Sequence, residues 1–263
     1  MLKRVSGPAL EPVSVTEAKS WLRITGDDEN TLIGTLVSQA RQWVEEYTRR
    51  ALLAQTWDLT LQKFPACIDI NRSPLRSVTW IKYNDTNGDQ QTLATTEYTV
   101  DDVSEPAKVI EAYSKTWPST YGHINDVTVR FVAGYAATMT AVAATNVLTA
   151  VGHSYVDTDP VRFWNTGGSL PGGLVANTDY YVRDVSGDTF KVAATSGGSA
   201  IDITTSGTGV HFVGEIPRPI IQAMLLLVGE LYERREAAIV GAPITEVPFG
   251  VQALLAPYRV WTF

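Results

Sequence analysis

"RFVAGYAATMTAVAATNVLTAVGHSYV", running from Arg130 to Val156, holds no Asp, Glu, Lys or Arg after its first residue, in a chain of 263 residues of which 19% are charged. A membrane-spanning helix needs roughly 20 predominantly apolar residues. Thr138, Thr140, Thr145, Asn146, Thr149, His153 and Ser154 interrupt this run with side chains that a bilayer leaves poorly hydrogen-bonded. The stretch reads as a change of domain. Before it, Val127, Val129 and Phe131 alternate like a half-buried strand. Beyond it, Asp159–Trp164, Asp179–Arg183, Thr189–Val192, Ile201–Ile203 and Val210–Phe212 are short β-prone runs separated by Gly, Ser, Asn and Asp. No helical stripe of useful length lies between Thr138 and Gly214. The expectation is an inserted all-β domain over residues 137–214, with the silent segment as its first strand.

The flanking sequence has other periods. Ser14-Val-Thr-Glu17 has capping-box spacing and predicts a short first helix. Leu32, Ile33, Leu36, Val37, Ala40, Trp43, Val44 and Tyr47 recur at helical spacing, and Arg49-Arg50 read as its solvated end, complementing the dipole. Trp57, Leu59 and Leu61, then Val78 and Trp80, alternate as strands, with a hairpin turn at Asn87-Gly88. Thr99-Val100 and Val109-Ile110 add short strands. A third helix from Pro217 carries Ile220, Ile221, Met224, Leu227, Val228 and Leu231, a face broad enough to predict burial on two sides, against its own domain and a neighbour. A last helix, Pro248 to Ala256, ends at Pro257. The fold class is α+β: a small helical bundle drawn from both chain ends, a short antiparallel sheet, and the inserted domain. Residues 1–136 and 215–263 form the discontinuous core domain.

Chemistry is nearly absent from this pattern. A net charge of -7 supplies no basic field to release counterions from a phosphate backbone. Cys67, the single cysteine, cannot form an internal disulfide or a thiolate metal site. MLKRVSGPAL has a positive start but no apolar segment behind it, so the chain is expected to stay in the compartment where it is made. His123, His153 and His211 lack ligand spacing and read as surface or turn residues. No phosphate-cradling loop or nucleophile elbow occurs. The expectation is no enzyme, no cofactor and no metal. Trp164, Tyr180, Tyr181 and Phe190 fit cross-strand core pairs, the commoner arrangement, or a sugar-stacking platform. Tyr258-Arg-Val-Trp-Thr-Phe263 places three aromatics after a proline at a chain end, where polar residues are usual.

Several stretches carry a family resemblance: Ser14-Val-Thr-Glu-Ala-Lys19 with Leu22-Arg-Ile24, "SQARQWVEEYTRRAL", "PLRSVTWIKYNDTNGDQQTL", "VTVRFVAGY", "IPRPIIQAMLLLVGELYERREAAIVG" and "EVPFGVQALLAPYRVW". Together, over about residues 8 to 135 and 214 to 263, they resemble the head-tail connector (adaptor) proteins of tailed bacteriophages. The inserted segment resembles a β module found in various phage structural proteins. The resemblance implies a virion neck component, assembled in the host cytoplasm as a homo-oligomeric ring of the portal's twelvefold symmetry, a dodecamer. Its partners would be the portal protein and a tail-side connector, stopper or tail-terminator protein. Genomic DNA would pass through without specific binding, and no membrane is involved. Tyr258, Arg259, Val260, Trp261 and Phe263, with Met224, Val228 and Leu231 of the third helix, are the expected assembly contacts. The alternative is a virion-borne carbohydrate- or cell-surface-binding module.

Overall fold

The computed structural model of the chain describes residues 1–8, 10–153, 155–176, 178–234 and 249–261. They pack as two units, Met1–Pro8 with Leu53–Glu215 and Ala9–Leu52 with Ile216–Phe263. The strands belong to the first and the α-helices to the second.

In the helical unit, α1 (Val15–Leu22) begins where Ser14 Oγ accepts the Glu17 N–H at 3.1 Å, a cap worth about 1 kcal/mol. α2 (Asn30–Thr48) buries Ile33, Leu36, Val37, Ala40 and Val44, and Arg49 ends it in the left-handed region at φ 58. α3 (Arg218–Glu233) buries Ile220, Ala223, Met224, Leu225, Leu227 and Val228. α4 (Phe249–Leu255) runs on into a 3-10 turn, Ala256–Tyr258. The α-helix ends at Leu255, beside Pro257 as the sequence suggested, and Pro257 sits in the first turn of the 3-10 segment, where its missing N–H is not needed.

The broad face of α3 has its explanation within the chain. α3 packs against α1, α2 and α4, which bury Ile220, Ala223, Met224, Leu225, Leu227 and Val228, while Leu231 stays exposed. Met224 and Val228 are 0% exposed and belong to this core. Polar groups stiffen the same unit: Arg41, buried, donates to Glu11 at 2.7 Å and 3.2 Å and to Glu45 at 2.8 Å, while Glu45 accepts the Leu52 N–H at 3.0 Å. Burial opposes the charge on Arg41, but the bonds to Glu11 and Glu45 outweigh it and hold the guanidinium above its usual range. Removing one member of such a buried pair typically costs about 3–5 kcal/mol, because the other charge is left alone.

The strands that precede the silent stretch are β1 (Leu2–Ser6), β2 (Gln55–Leu61), β3 (Ile68–Ile70), β4 (Leu75–Asn84), β5 (Gln90–Thr92), β6 (Tyr98–Asp101), β7 (Ala107–Glu111) and β8 (Val127–Ala133). They form a five-stranded sheet, β1-β2-β8-β4-β5, and a three-stranded one, β3-β7-β6, both antiparallel. The strict alternation of β8 buries Val127, Val129, Phe131 and Ala133. The turn at Asn87-Gly88 forms as its sequence demands, with Gly88 at φ 88 and its N–H bonded to Asp85 O at 2.9 Å.

The rest are β9 (Ala137–Val142), β10 (Val147–Thr149), β11 (Pro160–Val161), β12 (Phe163–Thr166), β13 (Tyr180–Ser186), β14 (Thr189–Ala193) and β15 (Val210–Val213). They form one seven-stranded sheet, β11-β13-β14-β10-β9-β15-β12, that shares no strand with the others. The charge-free stretch is β9 and β10, buried on alternate residues; Ala137 and Val213 are register partners, so the sheet's two chain ends are adjacent. Its core gathers Met139, Leu148, Phe163, Tyr180, Val182, Phe190 and Val192. Tyr180 and Phe190 are thus core residues, and Trp164 stacks on Phe212 at 4.0 Å. The run Ile201–Ile203 is not a strand. Its amides bond elsewhere, Ile201 N–H to Val192 O at 2.7 Å and Ile203 N–H to the Asn146 side chain at 2.8 Å.

Two histidines read as surface or turn residues are buried: His153, which closes a turn by donating to Ala150 O, is 8% and His211 6% exposed. His211 Nε2 lies 3.1 Å from Ser206 O, and His153 stacks on Tyr155 and meets the edge of Phe190. His123 remains exposed, stacked on Tyr121. Burial, and then the Arg76 charge, hold His153 below its ordinary pKa of 6.5. The folded protein keeps this ring neutral while the unfolded chain takes up a proton near pH 6.5, so its contribution to stability is present above that pH and is lost as pH falls toward the folded value. Thermal melts between pH 7.5 and 5.5, values chosen to span roughly the imidazole range, are expected to show a smaller acid loss for His153→Gln than for the parent chain. Equal losses would refute the assignment to His153.

Candidate assembly surface

The helical unit brings one aromatic and cationic stack to its surface. Trp43 and Tyr47, four residues apart on α2, lie on the same side of the helix. Their rings stack with centroids 5.1 Å apart and planes 10° from parallel. The Arg259 guanidinium lies 5.3 Å from the centre of the Tyr47 ring and 4.4 Å from that of Trp261. Cation–π pairs of this kind are worth about 0.5–1 kcal/mol where exposed.

What holds the segment there is main chain. The Val260 N–H donates to Thr48 O at 3.0 Å, and Arg50 Nε donates to Tyr258 O at 2.5 Å. Val260 is 3% exposed and Arg50 6%, so Arg50 is an interior anchor and not the solvated helix end expected from its position. Trp261, next in the chain, is 58% exposed. The segment therefore does two things: Val260 ties it to its own subunit, and Trp261 and the edge of the stack face outward.

Of the residues singled out in the sequence, Arg259 and Trp261 meet at this surface, and Tyr258 is tied beside it by its carbonyl, which accepts from Arg50. Val260, Met224 and Val228 are buried inside the chain and are not available to a partner. Leu231, 36% exposed, belongs to a separate depression of about 320 Å³ that it shares with Leu32, Leu36, Gln39 and Arg234. Phe263 lies outside the described residues. Trp43 and Tyr47 were counted with the apolar face of α2; the signal that distinguishes them is that aromatics at i and i+4 flank the buried position Val44 instead of continuing it.

Among the described residues no group of His, Cys, Asp and Glu could hold a metal ion, and no helix is long and apolar enough to cross a membrane.

Residues 12–112 match the family model of the phage gp6-like head-tail connector protein. Among solved structures, a chain from the virion of a native gene transfer agent (GTA) particle superposes with a TM-score of 0.57 at 18% identity, covering 100% of this chain and 97% of that one. A chain from the neck of an empty GTA particle, computed with C6 symmetry, gives 0.56 at 18% identity with the same coverage. A third, from the neck of a native GTA particle computed with C12 symmetry, gives 0.50 at 17% identity. At these identities the likeness is one of fold, and it extends over the whole chain, β9–β15 included. None of the curated proteins matches the sequence.

Proposed function

We propose that this chain is a structural head-tail connector of a tailed phage or phage-like virion, a neck component that repeats around a symmetric ring and joins head to tail. The observation that carries the reading is the connector family match over residues 12–112, which spans α1, α2 and the first seven strands apart from β1. The full-length fold likeness to chains of GTA particles supports it. The role is architectural, without catalysis.

The physical chemistry fits a conduit. A protein of net charge -7 repels the phosphate backbone, so a genome in transit is not held. The Trp43-Tyr47-Arg259-Trp261 stack suits an assembly contact, since aromatic and Arg side chains dominate interface energetics. Its partner in this reading is the portal or a neighbouring protomer, and the ring is a dodecamer.

Trp261→Ala tests the surface while leaving the Val260 anchor in place. The purified subunit is expected to melt within about 0.5 kcal/mol of the parent, as exposed substitutions do. Its affinity in ring or portal assembly is expected to fall by about 2 kcal/mol or more, the effect of truncating an interface anchor. Electron microscopy of the protein alone and mixed with portal reads both rings and complexes. Unimpaired assembly by Trp261→Ala would remove the stack from the interface; absence of rings and of portal complexes from the parent protein would overturn the connector reading itself.

A further inference from the structure

Residues that follow β10 cross to the five-stranded sheet. A Cβ at Gly152 would lie 3.3 Å from Ser77 Oγ of β4 and 3.7 Å from Val132 Cγ2 of β8, so the backbone there rests on both strands. Two rings and a cation complete the contact. His153 stacks on the Tyr155 ring, centroids 5.1 Å apart and planes 21° from parallel, and the Arg76 guanidinium, from β4, lies 5.5 Å from the centre of the same ring. Tyr155 packs on the core of the seven-stranded sheet, and His153 meets the edge of Phe190 on β14 at 5.0 Å. One aromatic ring thus joins an imidazole carried by one sheet to a guanidinium carried by the other.

The hydrogen bonds limit the charge this contact can bear. The Tyr155 N–H donates to His153 Nδ1 at 3.1 Å, so Nδ1 presents a lone pair and the ring proton sits on Nε2. A second proton has to go on Nδ1, where it would point at the Tyr155 N–H. It would also create a cation at a residue 8% exposed, and a buried charge without a partner is costly. The titratable groups facing the ring are Arg76 from β4, Asp188 from the turn between β13 and β14, and Tyr155 from its own segment. Arg76 is itself 7% exposed, with Nε and Nη2 unpartnered and Nη1 3.4 Å from Gly134 O, so it adds a like charge already short of acceptors. Asp188 acts the other way, but its Oδ1 is engaged by the Gly152 N–H at 2.8 Å. Among the described residues no carboxylate pairs with His153 or Arg76. The arrangement accepts a neutral imidazole and rejects an imidazolium.

We propose that His153 is an acid-released latch between the two sheets: neutral, it holds the residues after β10 against β4 and β8, and protonated, it lets them go. Release gives water to the imidazolium and to the Arg76 guanidinium together, which is what drives it. Burial and Arg76 hold the closed form's pKa down, so the latch is intact above the ordinary imidazole value of 6.5 and loses its hold as pH falls below it. The sheets stay tethered when it opens. Ala137 and Val213 are register partners, and a Cβ at Gly214 would lie 2.4 Å from Tyr135 O, so the chain enters and leaves the seven-stranded sheet at one point. The latch is a property of the single chain and is independent of ring formation.

The test is hydrogen exchange of the full chain by nuclear magnetic resonance at about pH 7.5 and about pH 5.5, each rate divided by the intrinsic rate at that pH. The opened form titrates with the ordinary pKa of 6.5 while the closed form stays neutral. Its population is therefore expected to rise about tenfold at the lower pH, the ratio of imidazolium to imidazole one unit below that value. Protection is expected to fall by this factor at the Gly152 and Tyr155 amides on one side of the contact and at Arg76 Nε–H on the other. At both pH values these sites are expected to be less protected than the ladder amides of β8 and β14, which marks a local opening. His153→Asn keeps an acceptor near the Nδ1 position and cannot be protonated, so its acid response is expected to vanish. Arg76→Met removes the like charge and is expected to respond less than the parent. Each variant is compared with itself at two pH values, so a loss of overall stability does not imitate the result. Unchanged protection at the three sites, protection equal to that of β8 and β14, or a parental acid response in either variant overturns the proposal.

Discussion

Gly134→Ala is expected to destabilise the protein by about 3–5 kcal/mol, a large share of a domain's total. Gly134 has φ 148, and a Cβ there would lie 2.4 Å from both the carbonyl carbon and the oxygen of Leu53 and 2.6 Å from Ala54 N. These are backbone atoms that cannot turn aside. They are also held, because Ala54 N–H bonds Ala136 O at 2.7 Å and Gly134 N–H bonds Pro74 O at 2.9 Å. Gly122 is the control: its φ is 92, but nothing lies within 4 Å of its Cβ position, so Gly122→Ala meets only the left-handed backbone cost of about 1–2 kcal/mol. Urea midpoints for the two variants check the difference. Equal losses would mean that the crossing at Leu53 yields, and that the close approach does not fix this corner.

Excision of the seven-stranded sheet is the second large effect. Joining Ala136 to Glu215 through a short Gly-Ser linker is expected to give a soluble protein that keeps its helical signal in circular dichroism and loses much of its β signal. The reasons are geometric. Ala137 pairs with Val213, and the Cβ position of Gly214 falls 2.4 Å from Tyr135 O, so the two ends to be joined already touch. The removed part takes its own core with it, from Met139 to Val213. Arg76 then gains water, because its buried guanidinium has, among the described residues, a single long bond to Gly134 O at 3.4 Å and otherwise lies over the Tyr155 ring at 5.5 Å. Residues 138–213 alone are expected to melt cooperatively. An insoluble host together with a non-cooperative fragment would show that the sheets share one core and that the inserted-domain proposal is wrong.

Much of the architecture was legible because it is written in local periods. The 3.6-residue stripe of α2, the capping box of α1, the alternation of β8 and the turn at Gly88 each depend on neighbours within a few residues. The same is true of the charge-free stretch: Thr alternating with Ala and Met has the period of β9, and it does form a strand. β1 and β5 were illegible for the opposite reason, and β3, Ile68-Asp69-Ile70, alternates over too few residues to stand out. Lys3-Arg4 and Gln90-Gln91 carry no apolar alternation, and they are strands because Asp58 and Tyr83 offer them a ladder.

The assembly surface divides in the same way. That an aromatic segment at Tyr258–Phe263 needs covering could be read from composition alone. That Val260 is the anchor, Trp261 the exposed tip, and Trp43 and Tyr47 the rest of the stack depends on α2 and the segment after α4 meeting across two hundred residues of chain. Burial of His153 and His211 belongs with these, since a side chain's solvation is a property of what folds over it. Local sequence determined the helices and the strands with a clear apolar period, and that the protein carries no basic field. Only the tertiary structure decided which apolar faces are covered internally, because burial is set by contacts between segments whose separation in sequence leaves no local trace.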